Sequence, residues 1–385
     1  MIQITSVERR AVATLAGIFS LRMLGLFMIL PIFSIYAKQL KFVTPTTIGI
    51  ALGIYGLTQA LLQIPFGLAS DRLGRKPMII VGLLLFIAGS VVAALSDTIY
   101  GVILGRSLQG ASAIGCVIMA LVADLTREEV RVRAMAVIGI TIGLSFALSM
   151  ILGPILSDFG GVKGIFWTTA VLAVLAILVL VFLVPTPTKQ TAGSDTIPKF
   201  SSIPQILLHS PLRSLNFGVL VLHASLTALF LKIPLAVQAI GYSKSLAWQF
   251  YLPIFVGSLF ATVPCIIVIE KKSWARTGLI GMVLALVVSE LGILYYFNQW
   301  LGLALSLGLF FTAFNTLEAS LPSFVSKLAP PGSKGTALGV YSSAQFLGLF
   351  LGGVIGGWLD SGYGMVAVLL FCIILAVVWL TWILK

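Results

Sequence analysis

The chain has 385 residues, of which 59% are hydrophobic and only 9% charged, far below the roughly 25% charge of soluble domains. That balance excludes a soluble globular enzyme and fits a polytopic membrane protein, with length for about twelve spans of ~20 residues each. The net charge of +12 does not indicate a nucleic-acid partner, because the positives are scattered between apolar stretches rather than gathered on one basic face.

Apolar runs bounded by charge, Gly or Pro predict spans at 11–37, 47–69, 77–95, 99–123, 134–156 and 164–184, then at 213–240, 245–269, 277–297, 300–326, 335–359 and 364–384. The first run is too long for a signal-peptide core and lacks a small-x-small cleavage pattern, so it is read as retained. If the N-terminus is cytoplasmic, the segments on its side hold most of the 24 Lys and Arg residues, which sets both termini inside. Cys116, Cys265 and Cys372 each fall in an apolar span without ligand spacing. Neither a disulfide framework, nor a metal site, nor a cofactor is expected from them.

Between the second and third spans lies Gly67 to Lys76, Gly-Leu-Ala-Ser-Asp-Arg-Leu-Gly-Arg-Lys, a charged hairpin that must sit at the water boundary. Gly67 and Gly74 permit close approach or positive φ. Asp71 beside Arg72, Arg75 and Lys76 is a mixed cluster that a topology signal does not need, since an acid adds nothing to a positive-inside bias. Further along, Pro185 to Ser210 is the one extended polar stretch, with four prolines among Thr, Ser and Gly. It divides the chain into an N-terminal bundle at 1–184, a cytoplasmic linker at 185–211 and a C-terminal bundle at 212–385.

The two halves resemble each other. An offset of 203 residues places Pro31 on Pro234, Leu125 on Leu328, Ala134 on Ala337 and Gly153 on Gly356, and an offset of 199 places Pro65 on Pro264 and Asp71 on Glu270. Apolar helices alone match in hydrophobicity but not in prolines and loop charges together, so the pattern indicates a parallel duplication, as in transporters whose site lies between repeats. Small residues recur every four positions at Gly139, Gly143 and Ala147 and at Gly348, Gly352 and Gly356, rows that let helix backbones pack closely in lipid.

Ionisable groups inside spans are costly and point to function by default. Arg22 lies roughly 18 Å above Arg10 and His223 roughly 15 Å above Arg213 along their helices, both near midplane. Arg106 shares a helical face with Gln109, and Phe311, Asn315, Glu318 and Pro322 share another. Arg106 equally suits structural bonds to neighbouring carbonyls, for Arg22 the functional reading is the favoured one, and His223 equally suits packing. Lys232, close to a span end, reads as a snorkelling side chain, and Glu290 lies in the outer half of the ninth span.

The Gly67–Lys76 run resembles the loop signature of the major facilitator superfamily, Gly-x-x-x-Asp-Arg-x-Gly-Arg-Lys/Arg. Arg106-x-x-Gln109-Gly110 is similar to its second motif. Gly153-Pro154 resembles the core of a helix-packing motif associated with antiporters, although Ile155 to Asp158 stand where a pair of glycines is expected. Ser20 to Pro31, Ile54 to Pro77 and Asp124 to Ala136 resemble the drug:proton antiporter branch, without the soluble domain that a member of that branch carries after its last helix. The resemblance implies an all-α integral membrane fold of twelve transmembrane helices in two pseudo-symmetric six-helix bundles, monomeric, in the bacterial cytoplasmic membrane. It implies a conformational latch of Gly67, Asp71, Arg72, Gly74, Arg75, Lys76 and Asp124. In that latch Asp71 meets the start of the eleventh span and Arg75 pairs with Asp124. A carboxylate at a helix N-terminus is favourable by about 0.3–1 kcal/mol when exposed and up to ~2 when partly buried. It also implies a cavity lined by the first, fourth, seventh and tenth helices, gathering Arg22, Arg106, Gln109, His223, Asn315 and Glu318, with Glu318 and His223 as proton-binding candidates. The expected function is proton-coupled efflux of small hydrophobic compounds. The alternatives are a metabolite or sugar permease or symporter, and, in another class, a membrane scaffold or receptor that carries no flux.

Overall fold

The computed structural model of the protein describes residues 5–185, 203–270, 275–330 and 333–384. These residues form helices α1 (Ser6–Phe27), α2 (Phe33–Tyr36), α3 (Pro45–Leu73), α4 (Arg75–Leu95), α5 (Ile99–Ala111), α6 (Gly115–Leu125) and α7 (Glu128–Leu183). The second half adds α8 (Ile203–Leu208), α9 (Ser210–Phe230), α10 (Ile233–Ala239), α11 (Ala247–Glu270), α12 (Ala275–Tyr296), α13 (Trp300–Leu328) and α14 (Lys334–Leu384). Most of the linker, 186–202, and Lys271 lie outside the described residues. The linker's end, read above as polar and extended, is helical in α8, which buries Ile206.

Local chemistry sets the ends. Thr5 caps α1: its hydroxyl accepts from Glu8 N–H at 3.2 Å while its own N–H donates to the Glu8 carboxylate at 2.9 Å, a reciprocal capping box. Thr44 caps α3 ahead of Pro45 at the first helical position, where a missing N–H costs nothing. The first and seventh spans are each broken, at 28–32 and at 231–232, beside Pro31 and Pro234, which lack a donor for the helical ladder.

Ten segments among the described residues are long and apolar enough to cross a bilayer, and two of them, Glu129–Leu183 and Lys334–Leu384, have 55 and 51 residues. Straight helices of that length would run about 77–83 Å, more than twice the ~30 Å hydrocarbon thickness. Instead each folds back at a glycine in the left-handed region, Gly161 (φ 60°) and Gly364 (φ 75°), a backbone that a Cβ strains. The described residues therefore make twelve crossings. These two glycines again stand 203 residues apart, as do Phe27 and Phe230 at the ends of α1 and α9.

In the first half α1 packs on α7, and α4 on α5 and α7; in the second α9 packs on α14, and α13 on α11 and α12. The halves meet along two seams, α3 with α14 and α7 with α11. At the first, Gly49 faces Gly353 and Gly357, and a Cβ on Gly53 would come within 2.8 Å of the Phe350 carbonyl. At the second, the Phe146 ring of α7 lies 5.3 Å from Phe255 of α11 and 6.0 Å from Phe311 of α13. Phe27 and Phe230 close the group from either side, 5.1 Å from Phe146 and 6.4 Å from Phe311.

Both sets of contacts lie in the half of the molecule remote from the 67–76 loop. Toward that loop the seams part: Gly139 and Gly143 on α7 and Gly339 on α14 have open space where a Cβ would stand. A cleft thus opens between the halves on the loop side, while on the other side these two seams are closed.

The small-residue rows require one correction. Gly348, Gly352 and Gly356 lie against Leu220, Ala224 and Ala228 of α9. Their equivalents on α7 are Ser145, Ser149 and Gly153, not Gly139 and Gly143. Ser145 donates to the Ser20 carbonyl at 3.2 Å, and Gly153 abuts Met28 and Pro31 at the α1 break, next to Pro154 within α7. Gly139 and Gly143 occupy a different face, the one on the open seam.

Candidate functional site: a loop-side latch and a midplane polar network

The 67–76 loop turns at Gly74, whose φ of 96° ends α3 and lets Arg75 begin α4. Arg75 is the hub: its guanidinium pairs with Asp71 one turn back and donates to Ser70 Oγ at 2.5 Å and to Asp124 of α6 at 3.2 Å. Asp124 is 3% exposed and Asp71 29%, so one buried and one partly exposed acid share the arginine. Asp71 pairs with Arg75 rather than with the start of α14, as the parting of the α3–α14 seam on this side requires. Arg72 is exposed. Lys76 donates to the Val184 carbonyl at 2.6 Å, capping the sixth span. Arg276 does the same for the twelfth, bonding Ile383 and Leu384 carbonyls at 3.1 and 2.8 Å.

Sequence reading treated Arg127 as a topology charge and passed over Glu8. Glu8, 5% exposed, accepts from Arg127 Nε at 2.9 Å, from Nη2 at 3.0 Å and from its backbone N–H at 3.1 Å, and it holds the Arg127 guanidinium above its ordinary pKa. The signal was present: Thr5-x-x-Glu8 is a capping-box pattern. On the far side Lys163 donates to Asp97 at 2.5 Å and holds that exposed carboxyl below its usual range.

The residues predicted to line one cavity fall into two groups. In the first half, Arg22 is 1% exposed and its Nη2 donates to Tyr55 Oη (2.7 Å), Gln59 Oε1 (2.9 Å) and the Ser112 carbonyl (3.0 Å). Its Nε and Nη1 have no hydrogen-bond partner. Arg106 donates to the Ala51 carbonyl at 3.3 Å and to Gln109 Oε1 at 3.0 Å, and Gln109 in turn donates to Ser90 at 2.8 Å. Both arginines flank the Tyr55 ring, 5.9 and 5.1 Å from its centroid. Arg106 and Gln109 therefore tie α5 to α3 and α4.

In the second half, His223 of α9 and Glu318 of α13 meet through Gln345 of α14, a residue sequence reading missed although a lone amide inside an apolar span is a signal. The His223 Nδ1–H donates to the Val219 carbonyl at 3.1 Å, which leaves Nε2 as an acceptor. Gln345 Nε2 donates to that nitrogen at 2.9 Å and to Glu318 Oε1 at 2.8 Å. The direct His223–Glu318 separation is 3.9 Å, and the Glu318 side chain is 34% exposed. Asn315, one turn away on α13, is half-buried with an unpartnered Nδ2. Phe311, further from the loop side, is 1% exposed, so the α13 face passes from dry to wet toward the loop. Across the α3–α14 seam the Tyr55 and Phe346 rings lie 6.4 Å apart, so the two groups back onto one contact.

Lys232 does not snorkel. It pairs with Asp360 of α14, the two side chains 20% and 13% exposed, beside a cavity of about 360 Å³ on the far side lined in part by Ser34, Lys38 and Ile48.

Comparison with known proteins agrees with this geometry. The model of the Major Facilitator Superfamily matches residues 15–352. The chain is 44% identical over 379 residues to the inner membrane transport protein YajR of Escherichia coli K12, covering 98% of this chain and 84% of YajR. It is 25% identical to the quinolone resistance protein NorA of Staphylococcus aureus, over 87% of this chain and 86% of NorA. Among solved structures, a bacterial homologue of the human lysosomal transporter Spinster, in an inward-facing and occupied conformation, superposes with a TM-score of 0.80 at 14% identity, covering 99% and 97% of the two chains. Sequence motifs, duplicated twelve-crossing architecture and relatives converge, and the chain belongs to the major facilitator superfamily as a multi-pass membrane transporter, not an enzyme.

Proposed function

We propose that this transporter is a proton-driven efflux antiporter of small hydrophobic compounds. It works as a monomer in a bacterial cytoplasmic membrane, with both termini cytoplasmic and with bundles at 1–184 and 212–385 rocking about the site between them. The observation that carries the reading is the His223–Gln345–Glu318 network at the wet end of the α13 face. The Gln345 amide donates to His223 Nε2, while the ring's Nδ1–H donates to the Val219 carbonyl. A proton arriving at Nε2 displaces that bond and turns the 3.9 Å approach to Glu318 into an ion pair, so proton occupancy and the α9–α13–α14 geometry are coupled. The phenylalanines above the cleft supply an apolar ceiling for hydrophobic cargo. The latch residues supply the conformational bias: Asp71, paired with Arg75 in this conformation, braces the start of α14 when the cytoplasmic end closes.

Reconstitution into liposomes with an imposed pH gradient, screened against a panel of lipophilic compounds, tests the reading. Wild type is expected to accumulate a compound against its gradient. Glu318→Gln is expected to retain downhill exchange and lose accumulation; full proton-driven accumulation by that variant rejects Glu318 as the coupling acid. A second reading, a permease or symporter for neutral or anionic cargo, is favoured by Arg22, whose unpartnered Nε and Nη1 sit in a group with two arginines and no acid. Proton uptake in the same direction as cargo would select it.

A further inference from the structure

Glu290 on α12 has no part in the network just described. It is fully buried, and neither carboxyl oxygen has a hydrogen-bond partner. From α9 the Ser225 hydroxyl faces it, also without a bond of good geometry, and from α14 the fully buried Cys372 thiol does. Around them Ala228, Val368 and Cys372 form a small dry cluster. Cys372 is the titratable group facing Glu290, and among the described residues no cation pairs with it.

An ionised carboxylate in such a place would forgo hydration with nothing in return, a cost that buried groups avoid by binding a proton. A proton needs no cavity, which fits the close packing. We propose that Glu290 is a second proton-binding site of the second half, occupied in this conformation and emptied when the transporter opens to the other side.

The element that links this site to the first is α9. His223 and Ser225 are two residues apart, about 200° around the helix, so one face of α9 carries the His223–Gln345–Glu318 network and the opposite face lies over Glu290. The helix ends at the 231–232 break, about which its 21 residues can tilt. A tilt that relaxes one face loads the other, so the two sites exchange occupancy as the cleft changes side. This inference rests on the proton-driven reading above.

The test separates the two. Infrared spectra of wild type, E290Q and E318Q in lipid nanodiscs at neutral pH are expected to show a protonated-carboxyl C=O band in wild type and E318Q that is missing in E290Q. Gln is isosteric with the protonated acid, so E290Q is expected to fold. No such band in wild type, or an unchanged band in E290Q, overturns the occupancy. In liposomes, using whichever panel compound wild type carries, E290Q is expected to keep downhill exchange and lose about tenfold in gradient-driven accumulation, within the usual span of coupling energies. Accumulation at the wild-type level overturns the coupling. Absence of any wild-type flux would count against the antiporter reading, while the infrared band would still decide whether Glu290 binds a proton.

Discussion

At the scale of single residues, the polar groups of this protein divide by whether their bonds are complete. Arg106 and Gln109 are held by backbone carbonyls and Ser90, and removing either leaves buried partners unmet at about 1–3 kcal/mol. Glu318 is different, since its Oε2 has no hydrogen-bond partner and its neighbour Gln345 shares one amide between two acceptors. Because His223, Gln345 and Glu318 act as one network, Gln345→Ala and Glu318→Gln are expected to be strongly non-additive in proton-driven transport. Additive losses in a double-mutant cycle would show that the amide merely packs. The charged members were legible from sequence because ionisable groups stand out in apolar spans. Gln345 and the Lys232–Asp360 pair were not, since the first carries no charge and the second joins residues far apart in the chain.

Helices were legible where apolar length decides and less so where phase decides. The span limits follow from hydropathy, and the breaks in α1 and α9 from proline, but which face of a helix meets its neighbour is a matter of about 100° per residue. Composition does not carry that phase, which is why Gly139 and Gly143 read as a packing row although they stand open, while Ser145 and Ser149 do the packing on α7. The seam glycines make the consequence measurable. Gly353→Leu is expected to break the closed seam, where Gly49 and Gly53 leave no room, at the ~1–3 kcal/mol typical of overpacking. Gly143→Leu should leave the stability of this conformation unchanged, yet slow transport by obstructing closure of the α7–α11 seam on the loop side. Thermal unfolding of the purified variants beside liposome flux checks both; equal destabilisation by the two would contradict the open seam.

For the whole molecule, the duplication read from prolines and loop charges extends to backbone geometry: Gly161 and Gly364, with matching left-handed turns, are separated by the same 203 residues as Pro31 and Pro234. Lys76 and Arg276 repeat the theme at the helix ends they cap. Asp71, by contrast, is bound here to its own hairpin; in the latch proposed here, its contact with the start of α14 forms when the molecule closes on the loop side. A brace of ~2 kcal/mol moves a two-state equilibrium roughly 30-fold. Asp71→Asn is therefore expected to insert normally but to rest open on the loop side. Transport should fall, and cysteine pairs placed across the α3–α14 seam near that loop should cross-link less than in wild type; unaltered flux and cross-linking would remove Asp71 from the latch.

The five phenylalanines that bridge the halves, Phe27, Phe146, Phe230, Phe255 and Phe311, bear on energy conservation. Their rings offer water no hydrogen-bonding partner, so the contact between the halves on the far side is an apolar plug rather than a polar path. On the proton-driven reading proposed above, such a plug means that the gradient is drawn down by completed cycles rather than by standing leakage, and a cell can keep many idle copies in its membrane without short-circuiting the supply that drives them.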